Sequence, residues 1–151
     1  MGFDVYAIKP KTDNENHFYF RANVWYWRPL WGLVEELCGD VMTELQQKAG
    51  HYNDGVVINE EMSILIGNRL KEALNNGTFK KFQEEHENHK NNIPKDDCKR
   101  CLQHSNNTNP SCTNCEGSGK TNNIMTSYHF DYELTEQFSD FCLNSGGFEI
   151  M

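Results

Sequence analysis

The apolar positions follow two rhythms along the chain. Residues 3 to 8, FDVYAI, form a short β-prone run, and the turn-forming PKTDNEN closes it. HFYFRANVWYW then reads as a second extended segment, placed to pair with the first. From Pro29 the period changes: Leu30, Leu33, Val34, Leu37, Val41 and Leu45 recur at helical spacing, with Pro29 as the first helical residue and Gly50 as the stop. HYNDG, residues 51 to 55, is turn chemistry, because Asn and Asp before Gly favour left-handed backbone and local side-chain capping.

Asn59 caps a second helix, in which Met62, Leu65, Ile66, Leu70, Ala73 and Leu74 form the buried stripe before NNG stops it. Thr78 restarts a polar helix, FKKFQEEHENHKNN, anchored only by Phe79 and Phe82. Further on, Tyr128, Phe130 and Tyr132 alternate with Ser127, His129 and Asp131, the period of a strand with one wet face. Thr135 caps a last helix with Phe138, Phe141 and Cys142 inward; Gly146 and Gly147 end it, and FEI closes the sequence. The pattern predicts an α+β fold: a small antiparallel sheet, two main helices and a zinc-ribbon-like insertion at 95–121, within a single domain spanning 1–151.

Length supports that reading, since 151 residues suffice for one core and are too few for two full domains. No run of about 18 apolar residues occurs, and the opening MGFDVYAIKPKTDNENHF lacks the order of a signal peptide, so a soluble cytoplasmic product without membrane partners is expected. Thiols stay reduced in that compartment, which makes six cysteines metal ligands and buried spectators rather than three disulfides. The net charge of −8 argues against a protein that simply coats nucleic acid. Charge is unevenly spread, however: residues 80 to 121 hold seven Lys/Arg against six Asp/Glu, and the rest of the chain seven against sixteen.

That near-neutral segment contains Cys98, Cys101, Cys112 and Cys115, spaced C-x2-C-x10-C-x2-C. Each C-x2-C turn can aim two thiolates at one point, and two such knuckles complete the tetrahedral sulfur shell that zinc prefers. Four unliganded thiols are the alternative, but so hydrophilic a segment has no other means of being held. Ribbon spacing without apolar cover favours zinc over an iron–sulfur cluster. Four sulfurs close the shell, so the expected Zn2+ is structural, and His104 is left outside it. The nearby GSGKT mimics a phosphate-binding loop, yet the required first Gly falls at Asn114, and neither a buried strand before nor a helix after it is present. Gly117 and Gly119 instead let backbone N–H groups turn toward sulfur. CTNCEGSGK resembles one C-x-x-C-x-G-x-G repeat from the zinc-binding region of J-domain chaperones, and the metal site alone is carried over from that resemblance.

All three tryptophans lie in NVWYWRPLW. If the segment is a strand, Trp25 and Trp27 share one face, with Trp31 one helical turn later. The plain reading is that they fill a core. The sharper one places Arg28 beside a helix N-terminus at Pro29, where free N–H groups and an aromatic wall of Trp25, Trp27 and Trp31 would suit an anionic, nucleotide-like ligand. His51, Asn53 and Asp54 join such a pocket only if their loop folds back onto it. MGFDVY, NVWYWRPLW, HYNDG, the cysteine-ribbon insert and the terminal GGFEI together resemble a group of small, mostly uncharacterised proteins of bacteriophages and bacteria. The resemblance implies a shared fold and a host-cytoplasmic setting, with no activity attached.

Other chemistry is weaker. HENH, residues 86 to 89, lacks the spacing that puts two imidazoles on one helical face, and a solvated helix accounts for it better. Asp4, Glu35, Glu36 and Asp54 could act as general acids or bases, but carboxylates in a chain this acidic are mostly surface groups. Cys38 and Cys142 fall on the inward stripes of their helices. The leading functional expectation is a non-catalytic, zinc-stabilised binding protein that takes a small nucleotide-like anion or a host protein through the aromatic/Arg site. Two alternatives are nucleic-acid binding through Lys95, Lys99, Arg100 and Lys120 on the ribbon, and a small enzyme using His51 and Asp54 near Arg28.

Overall fold

The computed structural model describes residues 1–105 and 108–151; Asn106 and Asn107, and the side chains of His104 and Ser105, lie outside the described set. In chain order the elements are β1 (Gly2–Ala7), β2 (Tyr19–Asn23), α1 (Val24–Cys38), α2 (Glu44–Ala49), β3 (Val56–Ile58), α3 (Glu60–Asn76), α4 (Thr78–Asn91), β4 (Asp96–Asp97), α5 (Lys99–Ser105), β5 (Lys120–Thr121), α6 (Tyr132–Asn144) and β6 (Phe148–Ile150). The fold is α+β, with a four-stranded and a two-stranded antiparallel sheet. Two compact units divide it: residues 1–86 with 128–151, and residues 87–127.

In the larger unit the strand order is β2-β1-β6-β3. β1 and β2 pair as expected, with Phe3 opposite Ala22 and Val5 opposite Phe20. The C-terminal FEI enters the middle of the sheet, between β1 and β3. Alternation puts Phe3, Val5, Phe20, Ala22, Ile58, Phe148 and Ile150 in one core with the inner faces of α1, α3 and α6. Close approach of α3 and α6 depends on Gly67: a Cβ there would meet the Ser139 carbonyl at 2.9 Å, and Ser139 Oγ donates to the Gly67 carbonyl at 2.7 Å. Cys38 and Cys142 are fully buried, and desolvation pushes both thiols up, as expected of small apolar fillers.

Three elements depart from the sequence pattern. The extended reading of residues 17 to 27 ends early: α1 starts at Val24, capped by the Asn23 side chain accepting the Trp25 N–H, so Pro29 lies one and a half turns inside the helix rather than at its start. Pro29 has no N–H for the Trp25 carbonyl four residues back, and that carbonyl accepts the His129 N–H instead, at 2.9 Å. The proline therefore frees an acceptor that pins residues 128–131.

That pinned stretch is the second departure, for it is neither helix nor strand. Trp25 packs on Tyr128, the edge of Phe130 meets Phe79, and His86 Nε2 donates to the Tyr128 carbonyl at 2.7 Å. Asp131, not Thr135, then caps α6 by accepting the Leu134 N–H at 2.7 Å; Thr135 is buried inside the helix and donates back to the Asp131 carbonyl.

Third, the single helix expected from Pro29 to Gly50 is two. α1 stops at Cys38 before Gly39, and α2 begins with a capping box in which Thr43 Oγ1 accepts the Gln46 N–H while the Gln46 side chain accepts the Thr43 N–H. Arg69 donates to the Leu37 carbonyl and pairs with Asp40, satisfying the end of α1. Val41 and Leu45, expected inward, are exposed as a result.

Candidate metal centre

In residues 87–127, the two-stranded β4–β5 ladder pairs Asp96 with Thr121 and Asp97 with Lys120, closing the segment that carries the cysteines. Cys98 stands just before α5 and Cys101 in its first turn, so the first knuckle is a helix N-terminus. The Cys98 N–H donates to the Gly119 carbonyl at 2.9 Å, tying the first knuckle to the end of the second. Cys112 and Cys115 sit on successive turns, where Cys112 N–H donates to the Asn109 carbonyl and Ser118 N–H to the Cys115 carbonyl, both at 3.0 Å.

The four sulfurs lie within 4.8 Å of one another, and all four residues are buried. Cys98 and Cys112 Sγ are 3.9 Å apart, Cys101 and Cys115 Sγ 3.7 Å. A tetrahedron with metal–sulfur arms of about 2.3 Å has edges of about 3.8 Å, so the spacing suits a metal ion held by Cys98, Cys101, Cys112 and Cys115.

Donors around the sulfurs favour thiolates. Asn114 Nδ2 donates to Cys98 Sγ at 3.3 Å, and with the Cys101 backbone N–H it holds that thiol down to about 6. The Cys115 backbone N–H chiefly lowers Cys112. At Cys101 a bond from the Asn109 backbone pulls downward, but desolvation and the three neighbouring thiols push it up to about 12. Four sulfurs this close cannot all ionise against one another without a cation among them. Gly119 N–H donates to Cys115 Sγ at 3.3 Å, from a backbone with φ of +73°. Gly117, at φ +83°, would place a Cβ 2.8 Å from the Pro110 carbonyl. Both glycines thus shape the knuckle, and Lys120 forms an ion pair with Asp97 at 2.5 Å rather than a phosphate site. Asn114, where a phosphate loop would need Gly, is the sulfur donor that sequence reading passed over; an amide inside C-x2-C was its only signal.

The aromatic/Arg site does not assemble. Trp27 and Trp31 are four residues apart on one helical face, stacked at 5.5 Å, and fully buried. Trp27 also stacks on Phe3 at 5.4 Å and meets Phe138 edge-on at 5.3 Å. Their indole N–H groups donate to the Gly50 and Gln47 carbonyls at 2.7 and 2.8 Å, so no surface or donor remains for a ligand. Burying each ring contributes roughly 4–6 kcal/mol from 150–250 Å². Trp25 is half-buried against Tyr128, and Arg28 is exposed, well inside α1 and away from free N–H groups. His51 Nε2 pairs with Glu35 at 3.0 Å, Asn53 Nδ2 donates to the Gly2 carbonyl at 3.4 Å, and Asp54 is exposed. The structure brings none of these three against an open aromatic wall.

Comparison with protein-family models, curated proteins and solved structures finds no match for the chain. Among the described residues, no helix is long and apolar enough to cross a membrane.

Proposed function

We propose that the chain is a zinc-stabilised binding protein in which the metal is a structural clamp and the partner is another protein. The observation that carries this reading is the convergence of four buried cysteine sulfurs at tetrahedral spacing. Sulfur donors select zinc among common cytosolic divalent ions, and four of them leave no position for water or substrate. The sealed indoles count against a stacking pocket for a nucleotide and leave the protein-partner form of the binding role. Following the resemblance to phage-encoded proteins, that partner would be a host protein in the host cytoplasm.

Metal analysis of protein purified without chelator should give one zinc per chain, and a tagged chain should retain a stoichiometric protein partner from host extract. Zinc near zero would remove the clamp; a rise in melting temperature with nucleotides, and no protein partner, would return the role to a small ligand.

A second reading, nucleic-acid binding, is favoured by one feature: Lys95, Lys99 and Arg100 are exposed around the first knuckle. Residues 87–127 hold five Lys/Arg and four Asp/Glu, a formal +1 within a chain of −8. Such binding must weaken steeply with salt, and salt-independent affinity would exclude it.

A further inference from the structure

Using none of the four clustered cysteines, a hydroxyl, an imidazole and a carboxylate form a chain. Thr12 Oγ1 is 2.5 Å from His17 Nδ1, and His17 Nε2 is 2.7 Å from Asp140 Oδ2. His17 is 6 % exposed and Thr12 is exposed, so the imidazole is shielded while the hydroxyl is reachable. Asp140 is fixed in turn, since Asn144 Nδ2 donates to its Oδ1 at 3.2 Å and to its backbone carbonyl at 2.9 Å.

The partners determine where the protons sit. An ionised carboxylate only accepts, so the Nε2 facing Asp140 must carry hydrogen; in neutral imidazole Nδ1 is then a bare lone pair, and the Thr12 hydroxyl must donate to it. This is the arrangement of a hydroxyl nucleophile, its general base and the carboxylate that orients the base. A hollow of about 180 Å³, lined by Asn16, Tyr19, Phe20, Arg21, Gln137 and Asp140, shares Asp140 with this chain of groups.

We propose that Thr12 is a nucleophile that accepts the acyl group of small esters, with His17 as general base and Asp140 as the positioning residue. Thr12 Oγ1 attacks the ester carbonyl carbon while its proton moves to His17 Nδ1, and the imidazolium is stabilised by Asp140. Collapse of the tetrahedral intermediate breaks the bond to the leaving alkoxide, which takes that proton and departs as the alcohol. The acyl group stays on Thr12 until water, deprotonated by the same nitrogen, releases the carboxylic acid and restores the hydroxyl. The Asn14 backbone N–H donates to Thr12 Oγ1 at 3.2 Å and helps to hold the hydroxyl oxygen in place against His17.

The test is reaction of the full chain with p-nitrophenyl acetate, following p-nitrophenolate release and mapping acetyl groups by peptide mass spectrometry. A burst approaching one equivalent is expected, with acetyl on Thr12. Thr12→Ser should retain it, Thr12→Val should abolish it, and Asp140→Asn should slow it by about 10²-fold, the scale of general-base assistance. Thermal unfolding of each variant separates this from mere pinning of residues 11–18 to α6, which would move the melting temperature but not the adduct. Acetyl absent from Thr12, or a burst unchanged in Thr12→Val, overturns the proposal.

Discussion

In the larger unit Trp27, Trp31, Phe138, Phe141 and Phe148 are sealed from solvent, whereas in residues 87–127 the buried residues, among those described, are Cys98, Cys101, Cys112 and Cys115 alone. The first region spreads its stabilisation over stacked rings, each contact worth a modest amount and the sum large. The second has no apolar cluster among its described residues, and its buried centre is four sulfurs close enough to hold a metal ion. A segment this hydrophilic, with little apolar packing of its own, is the kind that a metal held by four thiolates can order.

The largest separation of the two regions should come from metal removal. Structural zinc contributes about 10–16 kcal/mol of apparent binding energy in isolated zinc-finger peptides, so chelation, or Cys115→Ala, is expected to remove amide-exchange protection throughout 95–121. Near-UV circular dichroism from the buried tryptophans should persist. Simultaneous loss of both signals would show that the regions do not order independently.

Next in size is the reverse perturbation. Trp27→Ala deletes a ring that touches Phe3, Trp31 and Phe138 and leaves the Gly50 carbonyl without its indole donor. It should cost about 3–5 kcal/mol by denaturant unfolding, with zinc content unchanged. A loss under about 1 kcal/mol would contradict the sealed-core placement.

A smaller effect is expected within the knuckle. Gly119→Ala forces a side chain into left-handed backbone at a cost of about 1–2 kcal/mol, and its Cβ would meet Thr108 Oγ1 at 2.6 Å. Zinc affinity in a chelator competition should fall about tenfold, while Gly77→Ala, left-handed but with open space around it, should leave that affinity unaltered.

The smallest concerns the surface ion pair that finishes α1. The hydrogen bond from Arg69 holds the Asp40 carboxyl below its ordinary value of 3.8. A carboxyl depressed in the folded state stabilises above its unfolded pKa, and the contribution disappears as pH falls through the lower folded value. Denaturant midpoints from pH 5 downward should therefore drop more steeply for the native chain than for Asp40→Asn; parallel curves would show that the pair contributes nothing.

Much of this was legible in the letters, and the limits have physical causes. The cysteine cluster depends on residues three apart within each knuckle, a spacing that local backbone geometry converts into convergent sulfurs with little help from the rest of the fold. Asn59 before an apolar 3.6-residue stripe, and Gly77 at φ +84° after it, likewise fix α3 by local chemistry. The T-x-x-Q of Thr43 and Gln46 was an available sign of a new helix, obscured by Val41 and Leu45 continuing the apolar rhythm by coincidence.

The tryptophan segment is where local signals misled. Aromatic residues at alternate positions favour a strand, and Pro29 favours a helix start, yet burying Trp27 with Trp31 requires helix from Val24, which separates Trp25 from Trp27 on the helical wheel. Pro29 is tolerated there because the carbonyl it abandons finds a donor more than a hundred residues away, in His129. The same distance hides Asp140 from Thr12 and His17. By itself, the sequence determined what short-range geometry can enforce: the cysteine knuckles, the Asn59 cap and the α+β class. Only the tertiary structure decided which aromatic rings are sealed and which polar groups meet, because those outcomes depend on filling one shared interior and on leaving no buried donor or acceptor unpaired.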